Sequence, residues 1–184
     1  METTAFAISG PLLLRPKKIE DSRGFFSETY NERLFREILG DVRFVQDNQS
    51  RSTKAGTIRG LHFQSPPAEQ GKLVRVVRGA VFDVAVDIRR GSPTYGRFVS
   101  AVLSVENWAQ LWVPSGFAHG FCTLEPDSEV IYKVTSYYSR GHDLGLAWDD
   151  PALAIPWPVA PDFATLSDKD RAQPRLKDLP AYFS

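Results

Sequence analysis

The chain has 184 residues, enough for one well-buried core and too few for two ordinary domains, so a single domain over residues 1–184 is expected. Its 22 Lys and Arg balance 22 Asp and Glu, which leaves no global pull toward nucleic acid or an anionic membrane, although a local cluster can still take a compact anion. The lone cysteine, Cys122, closes no intrachain disulfide and no run of about 18 apolar residues occurs, so a cytoplasmic chain without a spanning helix is expected.

The opening METTAFAISGPLLLRPKK carries no charged segment ahead of an apolar core of signal length, and no secretory leader is expected. Residues 31–40 predict a short helix, with Asn31 as N-cap, Leu34, Phe35, Ile38 and Leu39 on one face, and Gly40 as the stop. In TIRGLHFQ, alternation puts Ile58, Gly60, His62 and Gln64 on one face and Arg59, Leu61 and Phe63 on the other. A bulge at Gly60 would instead bring Arg59 round to the side of His62. A histidine and a glutamine sharing a face with glycine suggest a polar cavity; a histidine simply paired with a structural neighbour is the alternative. Lys72, Arg75 and Arg78 of QGKLVRVVRG read by themselves as a solvated strand face.

VFDVAVDI alternates cleanly, with Phe82, Val84, Val86 and Ile88 on one face and Asp83, Ala85 and Asp87 on the other. RFVSAVLSV, QLWVP, GFCTL and EVIYKVTSYY follow at short intervals, separated by turn sequences such as GSPTYG and EPDS. Read as one strand, EVIYKVTSYY carries Tyr132, Val134, Ser136 and Tyr138 on a single face, either as a core aromatic contact or as part of a cavity wall. So many short strands predict a sandwich or barrel. Beyond residue 150, Pro151, Pro156, Pro158 and Pro161 interrupt regular structure before a short polar helix near Ser167, and this tail is expected to wrap the barrel. Ser167 and Asp170 nearly match a helix capping box, which alone would account for both.

The chain's three histidines raise the question of metal. Small β-barrels of the cupin type hold a metal with an H-x-H pair and a His in a P-x-G-x-x-H turn. PSGFAHG supplies the second element with Pro114, Gly116 and His119, but the first reads His62-Phe63-Gln64. With Gln64 in place of an imidazole, fewer than three good donors remain, and no bound metal is expected. His119 then reads either as a turn residue bonded to backbone or as a ligand contact.

Taken in order, DSRGFFSETY, FVQDNQS, IRGLHFQ, QGKLVRVVRGAVFDVAVDIR, SPTYG, QLWVPSGFAHGF, YKVTSYYS and WDDP resemble the dTDP-4-dehydrorhamnose 3,5-epimerase family over about residues 15–172. The resemblance implies a mainly β, cupin-like double-stranded β-helix (jelly-roll) barrel with a few short helices, an N-terminal arm and a C-terminal tail. It implies a homodimer that works on a dTDP-linked 4-keto-6-deoxy sugar with no metal and no cofactor. By the same resemblance His62 is the general base with Asp170 as its partner, Tyr132 is the general acid, and Lys72 stands by the carbonyl oxygen. Arg23, Glu28, Gln46, Asp47, Asn48, Arg59, His119 and Lys169 match substrate-binding positions, and Tyr138 matches the aromatic that stacks on thymine. Arg23 and Glu28 are expected to serve the neighbouring subunit's site. The chain departs from the family pattern at Asn48-Gln49-Ser50, often NHS, and at SRGHD, often a Pro and a Glu. Asp143 there stands in for the Glu with a shorter reach, and Arg140 and His142 are additions.

Overall fold

A computed structural model describes residues 1–184 as a mainly β, cupin-like jelly-roll barrel with two short α-helices. The N-terminal arm supplies β1 (Glu2–Ala5) and β2 (Leu12–Arg15), then a hairpin of β3 (Ile19–Asp21) and β4 (Gly24–Phe26). After helix α1 (Glu32–Leu39) come β5 (Gln46–Ser52), β6 (Ile58–Gln64), β7 (Lys72–Arg78) and β8 (Ala80–Asp87). The remaining strands are β9 (Phe98–Ser104), β10 (Gln110–Val113), β11 (Phe117–Thr123), β12 (Ser128–Val134) and β13 (Asp143–Gly145), and helix α2 (Asp168–Arg171) follows. No helix is long and apolar enough to cross a membrane.

Helix α1 forms as its sequence predicts. The Asn31 side chain accepts a hydrogen bond from the Leu34 N–H, a cap worth about 1 kcal/mol, and Gly40 at φ 83° ends the helix. Its buried face, centred on Phe35, joins Leu14, Leu73 and Trp112 and so seals the outside of one sheet.

That sheet has six strands in the order β1-β2-β10-β7-β12-β5, and a second has five in the order β13-β6-β11-β8-β9. Val74, Leu111 and Val130 from the first meet Val81, Ala85, Leu103, Phe117 and Phe121 from the second in an apolar interior. β8 keeps the predicted alternation: Val81 and Ala85 face this interior, while Phe82, Val84, Val86 and Ile88 face outward. The outward set is not left to water, because Leu146, Leu153, Leu176 and Leu179 cover it. With both faces of the sheet buried, the inward Asp83 and Asp87 are fully enclosed and need partners. Burial would raise the Asp87 carboxyl, but hydrogen bonds from Arg89, Ser92 and Thr94 hold it down at about 2.

The reading of EVIYKVTSYY as one strand is corrected, since β12 ends at Val134. The Gly71 N–H donates to Thr135 Oγ1 at 2.8 Å, Gln70 Nε2 to Ser136 O at 2.6 Å, and Ser136 Oγ to Glu69 O at 2.8 Å. These bonds tie the chain to the loop before β7 and take it out of the ladder, so Ser136 and Tyr138 do not share a strand face with Tyr132.

Candidate active site

A cavity of about 530 Å³ lies between the two sheets. Arg59 and His62 of β6, His119 of β11 and Asp143 of β13 line it from the five-stranded sheet, and Lys72 of β7 and Tyr132 of β12 from the six-stranded one. Tyr138, Ser167, Lys169 and Asp170 also belong to its wall.

Gly60 makes this convergence possible. The pairing of β6 with β11 shifts between His62↔His119 and Arg59↔Phe121, so three steps on β6 oppose two on β11. This bulge turns Arg59 and His62 to the same side, while Ile58 is buried against Cys122, Trp148 and Ala164 at the cavity's edge. Gly60 sits at φ 131°, and a Cβ there would lie 2.6 Å from Gly120 Cα and 2.9 Å from His119 O. Only glycine fits.

His62 Nε2 meets Asp170 Oδ1 at 2.5 Å. Asp170 is buried at the start of α2, where Ser167 Oγ caps its N–H at 3.2 Å and donates to its Oδ2 at 2.8 Å. The capping residue therefore also aims the carboxylate. Burial alone would raise the Asp170 pKa; the hydrogen bond and charge of His62, with Ser167 and Lys169, outweigh it and hold the carboxyl below its ordinary 3.8. An anionic Asp170 accepts from Nε2–H, which leaves Nδ1 as the nitrogen free to take a proton.

Lys72 is not the solvated residue that QGKLVRVVRG suggests. It is 9% exposed, and Nζ donates to His62 O at 3.2 Å. Desolvation lowers its pKa to about 8 against the attraction of Asp143 and Asp83. Across the cavity from β6, burial raises the Tyr132 pKa, with Asp143 adding to the rise and Arg59 opposing it, so the phenol stays protonated at neutral pH.

His119 is a strand residue, not a turn residue bonded to backbone: its Nε2 meets Asp83 Oδ1 at 2.8 Å, with both side chains buried. Sequence reasoning does not assign Asp83 to the site; its only signal is a carboxylate that shares a strand face with Ala85 and Asp87. Its Oδ2 is buried with no hydrogen-bond partner. Nowhere do three His, Cys, Asp or Glu side chains gather as a metal site requires.

At the rim, Asp143 Oδ2 accepts from Tyr138 Oη at 3.1 Å and from Lys169 Nζ at 2.5 Å, so this short carboxylate does reach the cavity. Other residues expected at the site lie outside its wall. Gln46 Oε1 accepts from the Tyr138 N–H at 3.1 Å, and Gln46 Nε2 donates to Asn48 Oδ1 at 2.8 Å. Asp47 pairs with Lys133 at 2.9 Å and, with Asn48, lines a separate groove of about 470 Å³ that Tyr132 also touches. Arg23 is exposed on the β3–β4 hairpin, paired with Asp21 at 2.6 Å, and Glu28 accepts from Asn31 Nδ2 at 3.1 Å. Neither reaches the cavity of its own chain.

A family model described as dTDP-4-dehydrorhamnose 3,5-epimerase matches residues 5–178. A protein of that description from Sinorhizobium fredii is 58% identical over 97% of this chain and 91% of its own length. Among solved structures, the dTDP-4-dehydrorhamnose 3,5-epimerase of Bacillus anthracis, with TDP and pyrophosphate bound, superposes with a TM-score of 0.91 at 49% identity, covering 95% of this chain and 98% of its own. A dTDP-6-deoxy-D-glucose-3,5-epimerase of Legionella pneumophila, in complex with dTDP-4-keto-L-rhamnose, gives a TM-score of 0.93 at 46% identity, covering 98% and 95%.

Proposed function

This chain belongs to the dTDP-4-dehydrorhamnose 3,5-epimerase family, and we propose that its cavity converts dTDP-4-dehydro-6-deoxy-D-glucose to dTDP-4-dehydro-L-rhamnose with His62 as base and Tyr132 as acid. The observation that carries this assignment of roles is the meeting, on one cavity, of a carboxylate-paired imidazole from one sheet and a half-buried phenol from the other.

The chemistry follows from the groups. His62 Nδ1 removes the proton from a carbon beside the 4-keto group, and Asp170, anionic across the physiological range, stabilises the imidazolium that forms. The electron pair left on carbon moves to the keto oxygen as an enolate. Lys72, held in a dry wall, offers its ammonium to that oxygen, where a charge counts for far more than in water. Tyr132 then gives its proton to the other face of the same carbon, and the stereocentre is inverted. A phenol whose pKa burial raises is a weak acid, yet it can still protonate the much more basic enolate carbon. Return of the His62 proton to solvent and of a proton to Tyr132 resets the pair, and the same sequence at the second carbon completes the reaction.

Arg59, His119, Tyr138, Asp143 and Lys169 line the same cavity, which supports their reading as substrate contacts. Arginine and lysine suit the diphosphate through charge-assisted bonds. We take Arg23 and Glu28 to act in a homodimer, in the neighbour's site; their exposure on the arm, away from their own cavity, supports this. Residues 1–184 are taken as one domain, supported by the leucines of the C-terminal segment that cover the barrel's sheet. The buried, unpaired Cys122 suits the cytoplasm.

The test is proton NMR of the substrate with the protein in heavy water and no added cofactor. Loss of signal at carbon 3 and carbon 5 is expected. Absence of exchange at both carbons overturns the proposal, and exchange at one alone reduces it to a single inversion.

A further inference from the structure

Gln64 ends β6 two residues beyond His62, yet it does not line the cavity and has no part in the chemistry above. Its side chain is buried and its carboxamide is engaged at both ends. Nε2 donates to Ala68 O at 2.6 Å and to Tyr137 O at 3.2 Å, and Oε1 accepts from the Ser139 N–H at 2.7 Å. Two of these bonds fall on the residues either side of Tyr138. The N–H of Tyr138 itself goes to Gln46 on β5, in the opposite sheet. Two carboxamides, one from each sheet, thus hold three consecutive residues between them.

Tyr138 has little else to fix it. The residue is 58% exposed, and its one side-chain bond is from Oη to Asp143. A side chain with so few packing contacts moves with its loop, and a loop left free must be ordered at a cost when a ligand binds. A single carboxamide can donate twice and accept once from the same head group, which neither an imidazole nor a carboxylate can do. The residue that stands where a metal-holding barrel has its second imidazole is therefore suited to clamping this loop.

We propose that Gln64 is a positioning residue that presents Tyr138 as the stacking platform for the flat base of the bound nucleotide. This rests on the reading of Tyr138 as a nucleotide contact. Gln64 touches neither the base nor the sugar, so it acts on binding through Tyr138 and leaves proton transfer at His62 and Tyr132 to proceed.

The experiment is a double-variant cycle read by calorimetric titration of dTDP, together with steady-state kcat and KM. Gln64→Met keeps the side chain's length and removes its hydrogen bonds. Gln64→Met and Tyr138→Ala are each expected to weaken dTDP binding by about ten-fold, and in Gln64→Met KM rises in parallel while kcat changes little. Gln64→Met placed on top of Tyr138→Ala is expected to add nothing, an outcome that a general loss of stability does not produce. Additive losses, unchanged dTDP binding in Gln64→Met, or a fall in kcat at constant KM each overturn the inference. Native-like binding by Tyr138→Ala removes the nucleotide assignment of Tyr138 and the inference with it. Weakened binding by Tyr138→Ala but not by Gln64→Met removes the inference alone. If Gln64→Met does not fold, Gln64→Glu carries the same comparison, because it can still accept from Ser139 and loses both donations.

Discussion

At the scale of single residues, the fold changes the ionisation of Lys72, because its ammonium is taken out of water. If its charge stabilises the enolate, Lys72→Met lowers kcat by about 100-fold or more with a much smaller change in KM. In the native protein kcat/KM should fall as pH rises through about 8, and this limb should be missing in Lys72→Met. The stability linkage has the opposite slope. A lysine with a folded pKa near 8 and an unfolded one near 10.5 holds fewer protons when folded between those values, so its contribution to stability grows with pH across that window. Urea unfolding at pH 7 and pH 9.5 should show this gain in the native protein and not in Lys72→Met. The acid and base are separated by exchange in heavy water: His62→Ala should abolish deuterium uptake at both carbons, whereas Tyr132→Phe should retain some uptake and block inversion at one centre. Equal loss in both variants contradicts the division of roles.

At the scale of the element, β6 depends on one bulge. Gly60→Ala must relieve a contact with the backbone of β11 and hold a positive φ that alanine disfavours. A loss of about 2 kcal/mol or more in urea unfolding is expected, with activity falling further than stability because Arg59 and His62 lose their common direction. An active Gly60→Ala protein of native stability shows that the bulge is dispensable. Helix α2 joins structure and chemistry in the same way. Ser167 satisfies the helix N-terminus and, through the same hydroxyl, holds the carboxylate that orients His62.

At the scale of the whole molecule, the arm carries Phe25, Phe26 and Arg23 into solvent while the cavity of the same chain lacks Arg23. If the arm serves a neighbour, His62→Ala and Arg23→Ala, each impaired alone, should complement one another when mixed and refolded together. Each mixed dimer then holds one site with both residues, and random pairing gives roughly a quarter of native activity. Activity no greater than the sum of the two separate variants contradicts sharing of the site across subunits.

Residue order alone specifies the local features: the Asn31–Gly40 helix with its caps, the alternation of β8 and the Ser167 cap. Each depends on periodicity or on hydrogen bonds within a few residues, which residue order specifies directly. The blocks of the resemblance likewise named the barrel and its reaction, and four residues that they single out, His62, Lys72, Tyr132 and Asp170, line one cavity. Other features depend on how distant strands pair. Alternation left the direction of Arg59 relative to His62 open until the register against β11 fixed the bulge. The end of β12 at Val134 comes from bonds to residues 69–71, and the pairing of His119 with Asp83 comes from a neighbouring strand. The depressed pKa of Lys72 comes from burial between sheets. These are interactions between residues far apart in the chain, and such contacts exist only once the sheets have paired and closed.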